Sequence, residues 1–204
     1  MLIISLLMPL PVDAMSPKSA LKELRKKYRA IKSLKVEFRE VFEWELTGES
    51  NIRLGEMLVT DDNRFRVDTV DQLIVCDGND IYRYNRQRNQ VIIERVKDDD
   101  KLLPRKILLD FADGFKAMDV TEIAVDERQG FRLDLEAEDP EASLMSHAII
   151  WATGDDMVVH RLKLIDLNSN STTYYLSRIE FDLPVDQNEI TFSPPEDAEI
   201  FDLR

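Results

Sequence analysis

The sequence predicts a mainly β chain with helices, an α+β fold built on one large antiparallel sheet that has to curve. Three observations carry that prediction. Apolar and polar residues alternate through a long succession of short runs, with turn residues every eight to twelve positions or so. One interruption, in LIVCDGNDIYRYN at 73–85, is a hairpin signature: Asp77 and Gly78 join two β-patterned runs, and the turn needs the positive φ that Gly accepts freely and Asp tolerates. Two stretches depart to a helical period, near 17–32 and 102–113.

At the start, residues 2–11 form an apolar run of h-region length, and Val12, Asp13 and Ala14 fit the small-x-small pattern before a signal peptidase cut. Residues 1–14 are therefore expected to be a signal peptide, and 15–204 a soluble, exported domain. The run is shorter than the ~20 residues a membrane span takes, and it lacks the usual Lys or Arg ahead of it. A buried N-terminal strand is the competing reading, although Pro9 and Pro11 would interrupt its pairing. No Cys stands directly after Ala14 to take a lipid anchor.

The first helix is expected over 17–32. Ser16 can cap it, Pro17 suits the first helical position, and Leu21, Leu24, Tyr28 and Ile31 form one apolar stripe opposite Lys and Arg. From Leu34 the period changes to two: Leu34, Val36 and Phe38 face one way, Lys35, Glu37 and Arg39 the other. Strands are expected near 34–46, 52–60, 64–70, 72–77, 80–85, 90–96, 119–126, 130–136, 146–152, 157–166, 173–182 and 189–193. Within this series Leu103, Ile107, Leu108 and Phe111 keep helical spacing, and Asp98, Asp99 and Asp100 sit where negative charge favours a helix N-terminus. A metal cluster is the other reading of that triplet, but no His or further acidic ligand is correctly spaced.

Composition narrows the function. With 44% hydrophobic and 33% charged residues the chain is an ordinary folded domain, and 27 basic against 40 acidic residues give a net charge of −13. That field repels phosphate backbones, so no nucleic-acid partner is expected. Cys76 is the only cysteine, which excludes an intramolecular disulfide and reads as a small buried hydrophobe. There is no G-x-S-x-G, no G-x-x-x-x-G-K and no H-E-x-x-H, and His147 and His160 lack a third ligand, so neither an enzyme nor a metal site is expected. A carboxylate dyad is unsupported among so many acids. What remains is apolar strand surface: Phe38, Leu58, Phe65, Val67, Ile74, Tyr82, Tyr84, Trp151 and Leu162 are candidates for a concave face, with a closed core as the alternative.

Three segments in this order, MLVTDDNRFRVDT at 57–69, the hairpin at Asp77 and Gly78, and ITFSPPEDAEIFD at 190–202, resemble the periplasmic lipoprotein carrier family LolA. The leading helix, the first strand with Val36 and Phe38, and Phe192, Ser193, Pro194 and Pro195 extend the likeness over nearly the whole mature chain. The resemblance implies an incomplete β-barrel whose apolar cavity, lidded by helices, holds acyl chains. By position it makes Phe65 a cavity aromatic, Ile74 a cavity aliphatic, and Leu103, Ile107, Leu108 and Phe111 the lid. It implies a cofactor-free periplasmic monomer that takes acylated lipoproteins from an inner-membrane ABC transporter such as LolCDE and passes them to an outer-membrane acceptor such as LolB. One departure stands out: the family's carriers often have a basic residue followed by proline before the Phe65 position, where this chain has Asp61 and Asp62. A carrier of another lipid or glycolipid, or a lipid-sensing regulatory module on the same fold, is therefore the alternative.

Overall fold

The computed structural model describes residues 15–96 and 104–204; the expected signal peptide, the three aspartates at 98–100 and Leu103 lie outside them. Helix α1 (Pro17–Ala30) begins where the cap was expected, with the Ser16 hydroxyl accepting from the Ser19 amide at 3.2 Å. Ala20, Leu21, Leu24 and Tyr28 are its buried stripe.

Twelve strands among the described residues form one sheet. They are β1 (Ser33–Glu43), β2 (Ser50–Thr60), β3 (Phe65–Thr69), β4 (Gln72–Cys76), β5 (Asp80–Asn85), β6 (Gln90–Arg95), β7 (Phe115–Val125), β8 (Arg128–Ala137), β9 (Met145–Thr153), β10 (Val159–Asp166), β11 (Ser171–Phe181) and β12 (Glu199–Asp202). Their order across the sheet is β12-β6-β5-β4-β3-β2-β1-β11-β10-β9-β8-β7, so two hairpin-built halves meet where β1 pairs with β11. β12 and β7 are free edges, and the barrel stays open as expected. Every pairing is antiparallel except that of β12 with β6.

The strand expected over 189–193 is instead a 3-10 turn (Gln187–Ile190). A capping box explains the difference: Asp186 accepts from the Asn188 amide at 2.9 Å, and Glu189 accepts from the Asp186 amide at 3.1 Å. The last strand lies further on, at β12. A short helix α3 (Pro140–Ser143), capped by Asp139, was also not expected.

The sheet buries residues on both faces. On the concave side, Leu24 and Tyr28 of α1 join Leu34, Val36, Phe38, Val59, Phe131, Leu133, Ile150 and Leu162 in the main core. Gly55 permits one part of this: it stands opposite Phe38, and a Cβ there would sit 3.0 Å from the Phe38 ring and 2.3 Å from the Asp68 carbonyl oxygen. Leu58, Leu73, Val75, Val91, Ile93 and Ile190 are equally buried but belong to a separate layer on the convex side. There the C-terminal segment crosses β3 to β6, with Phe192 packed 5.8 Å from Tyr82 and 6.0 Å from Tyr84.

Two tyrosines in the main core hold their protons more tightly than free tyrosine. Burial raises Tyr28, whose hydroxyl accepts from the Val159 amide at 2.9 Å, and burial with the neighbouring Glu40 charge raises Tyr174. Unfolded tyrosine ionises near pH 10 while these two stay neutral in the fold. Their contribution is therefore constant below that pH and lost above it, by about 1.4 kcal/mol per pH unit for each residue. Urea unfolding between pH 8 and 11.5 should show this alkaline limb, and Tyr28→Phe/Tyr174→Phe should flatten it. A limb of unchanged steepness in the double variant would contradict the assignment.

Candidate functional site

The register decides which side chains meet on the concave face. Val36 is opposite Met57, Met57 opposite Val67, Val67 opposite Ile74 and Ile74 opposite Arg83, which makes one continuous row over β1 to β5. The adjacent row runs Val59, Phe65, Cys76 and Ile81. Over these rows lies α2 (Pro104–Leu108); of the expected 102–113 helix, 102 and 103 lie outside the described residues, and the helix ends at Leu108, beyond which the chain turns, yet Leu109, Phe111 and Ala112 remain buried.

Between α2 and the sheet is a cavity of about 300 Å³, walled by Phe38, Met57, Phe65, Val67, Ile74 and Ile107. A second space of about 380 Å³ opens on the other side of the lid, against Phe111, Phe115, Met145 and Leu164. Ile107 lines both. It is therefore a partition between two apolar spaces, standing on α2, of which five residues are described.

One end of the first cavity is polar. Arg53, Glu40 and Tyr174 stand side by side on β2, β1 and β11. The nearly buried Glu40 carboxylate accepts from Arg53 Nε at 2.9 Å and Nη2 at 2.5 Å, and the Tyr174 hydroxyl donates to it. A buried carboxylate needs such partners, because an unpaired charge in low dielectric is costly. Thr69, Gln72 and Arg83 complete the polar end.

Of the residues proposed from sequence, Phe38, Phe65, Val67, Ile74 and Ile107 come together around the first cavity, Phe111 lines the second, and Leu108 is buried beneath the lid. Leu162 faces the same concave side but is packed within the core. Four others lie on the opposite face. Tyr82 and Tyr84 pair with Val75 and Leu73 under the C-terminal segment, Leu58 shares their row through Arg66, and Trp151 pairs with Arg161 on the outer surface. The reason is the period of two: Ile81 and Arg83 take the concave positions of β5, which sends both tyrosines outward. Met57, Glu40, Arg53 and Tyr174 were missed. Met57, Leu58 and Val59 form an unbroken apolar run, and that pattern signals burial on both faces.

The lid is fastened from both ends. Arg25 of α1 donates from Nε and Nη2 to the Ala112 carbonyl at 3.1 and 2.8 Å, and from Nη2 to the Phe115 carbonyl at 2.6 Å. Arg105 of the lid donates to the Asp61 carbonyl and pairs with Asp110 at 3.1 Å. The Asp61 carboxylate is held by Lys32 at 2.7 Å. At the turn holding Asp61 and Asp62, a lid guanidinium thus meets the Asp61 carbonyl, while Arg64 of the turn itself pairs with Asp62 at 2.8 Å. Elsewhere His160 is 2.5 Å from Asp126, while His147 is opposite Ile165, five positions along β10, so the two histidines do not converge. Cys76 is buried, its thiol raised by desolvation, and accepts from the Gly78 amide at 3.4 Å.

Residues 29–193 match the family model of the outer membrane lipoprotein carrier protein LolA. An uncharacterized protein of Methanocaldococcus jannaschii is 23% identical over 184 residues, 88% of this chain and 52% of that protein, so the chain spans about half the length of this curated relative. The crystal structure of an uncharacterized conserved protein from Thermus thermophilus superposes with a TM-score of 0.57 at 10% identity, covering 89% of this chain and 96% of that one. MucB superposes with a TM-score of 0.50 at 14% identity, covering 86% of this chain and 62% of MucB. At such identities the likeness establishes the fold alone.

Arg25→Met removes three hydrogen bonds from the lid attachment without touching the cavity wall. Amide exchange over 104–115 should then quicken by about tenfold or more, since each bond contributes about 1 kcal/mol, while β8 to β10 keep their protection. Unchanged exchange in the lid segment would show that Arg25 does not hold it.

Proposed function

The chain belongs to the family of the outer membrane lipoprotein carrier protein LolA, and on that premise we propose that it binds lipid acyl chains on its concave face beneath a movable lid. The observation that carries this reading is Ile107, the shared wall of two apolar spaces. Moving α2 aside joins them into one cleft, of a size usual for ligand sites, which run from about 300 to 1,000 Å³.

The energetics set how such a carrier works. Exposing an acyl chain of about sixteen carbons to water costs on the order of 13 kcal/mol, at ~0.8 kcal/mol per CH₂. Cargo therefore moves between comparably apolar sites, and the work of extraction comes from outside the carrier. In its fullest form the reading places the chain in the periplasm, with a LolCDE-like ABC transporter as donor, a LolB-like acceptor and an acylated lipoprotein as cargo. Among the described residues no helix is long and apolar enough to cross a membrane.

The polar end of the cavity favours a second cargo reading. Arg53 and Arg83, each already paired with a carboxylate, Glu40 and Glu94, and Gln72 beside an apolar floor suit an amphiphile whose head carries hydrogen-bonding groups. Asp61 and Asp62 in place of the family's basic residue point the same way, toward a lipid or glycolipid carried by a lid with a different fastening.

Ile74→Glu is the test. Ile74 is half-buried at the cavity wall, so its carboxylate can reach water and the fold should survive, but a charge beside acyl chains is costly to desolvate. Binding of a fluorescent fatty acid should weaken by about tenfold or more. Ile52→Glu, at a convex position already 58% exposed, should change neither stability nor loading. Equal loading of all three proteins would refute the cavity as the acyl site.

A further inference from the structure

The outer face of the second half of the sheet carries one continuous cross-strand row. Arg132 is opposite Trp151, Trp151 opposite Arg161, Arg161 opposite Tyr175 and Tyr175 opposite Arg39, on β8, β9, β10, β11 and β1 in turn. Guanidinium and ring alternate. Arg161 lies over Trp151 at 3.3 Å and near Tyr175 at 5.7 Å, while Arg39 lies over Tyr175 at 3.9 Å.

Stacking covers the rings, yet it leaves the two arginines flanking Tyr175 short of anions. Among the described residues the side chains of Arg39 and Arg161 take part in no hydrogen bond or ion pair, and the Arg161 Nε is buried without a partner. The surrounding acids are committed elsewhere: Glu37 to Arg178 at 2.6 Å, Glu43 to Lys163 at 3.7 Å, Asp134 to Arg132 at 2.6 Å. In a chain with 40 acidic and 27 basic residues, two adjacent guanidiniums without a carboxylate are a local reversal of the overall charge. Beyond Arg39 the row runs into a shallow depression of about 870 Å³, where Leu54 is 59% and Val70 83% exposed and the acids of the wall are already paired, Glu37 with Arg178, Glu56 with Lys35, and Asp68 with Arg66 and Arg86.

We propose that this row is a docking surface for an acidic protein segment, its carboxylates on Arg161 and Arg39 and an apolar side chain on Leu54 and Val70. The two arginines stand two strands apart, about 10 Å, and each offers a fork that suits a carboxylate. Tyr, Trp and Arg are the residue types that anchor protein interfaces. An anionic membrane fits less well. Lipid-binding clusters use four to eight basic residues, whereas here two are unpaired and the whole molecule carries −13. The surface lies on the opposite face of the sheet from the lidded cavity and stands or falls independently of acyl binding.

The probe is a decamer of glutamate, titrated at low salt while the Nε–Hε signals of Arg39 and Arg161 and the Trp151 indole are followed by NMR. Saturable shifts confined to the row and weakened by salt are expected. Arg39→Gln/Arg161→Gln should weaken binding by about tenfold or more. Since losing Arg161 also uncovers Trp151, Arg39→Gln alone, at an exposed position, provides the second variant and should weaken binding by about threefold; losing its stack on Tyr175 should lower the thermal midpoint by no more than about 4 °C, with fatty-acid loading unchanged. The proposal is overturned by no saturable binding at millimolar peptide, by binding undiminished in both variants, or by phosphatidylglycerol vesicles engaging the same arginines more tightly than the peptide does.

Discussion

A sheet of twelve strands has two faces, and here both carry apolar side chains that water has to be kept from. The rest of the molecule answers that constraint. On the concave side α1 and the lid segment supply the cover, and because the curl leaves more room than two short helices fill, cavities remain on either side of Ile107. On the convex side the first half is covered by the C-terminal segment, through Ile190 and Phe192, and the second half by arginines stacked on Trp151 and Tyr175.

The lid follows from the same geometry. The five described residues of α2 are held by what surrounds them: the Arg25 bonds to Ala112 and Phe115 at one end, the Arg105 bond to Asp61 at the other, and Leu108, Leu109 and Phe111 buried in the core. The arginine bonds to backbone carbonyls are the part of this attachment that water can replace. Helix α1 is seated by Ala20, Leu21, Leu24 and Tyr28 in the core, and the lid segment is seated there too, with Leu108 and Leu109 buried and the Phe111 ring 4.9 Å from that of Tyr28.

Much of this was legible in the sequence. The first eleven strands, the capped first helix and the Asp77 and Gly78 hairpin follow from local period and turn chemistry. The sign of the alternation was not legible, because a period of two separates the faces of a strand without saying which is inside. Tyr82, Tyr84, Leu58 and Trp151 went outward for this reason. A clue lay in the unbroken apolar runs 57–59 and 73–76: strands apolar on both faces require a second cover. That cover, with β12 beside β6, involves residues more than a hundred positions apart and no local signal announces it. The Glu40, Arg53 and Tyr174 cluster was hidden likewise, since it forms only when β2, β1 and β11 align.

The central claim is that acyl chains lie on the concave face, and a nitroxide-labelled fatty acid examines it directly. With methyl groups observed by NMR, a nitroxide near the chain terminus should broaden Val67, Ile74 and Ile107 more strongly than Leu73, Val75 and Val91, because the effect falls steeply with distance and the sheet holds the second set further from the cavity. Broadening of the convex methyls instead, or no selective broadening at saturating ligand, would contradict the account.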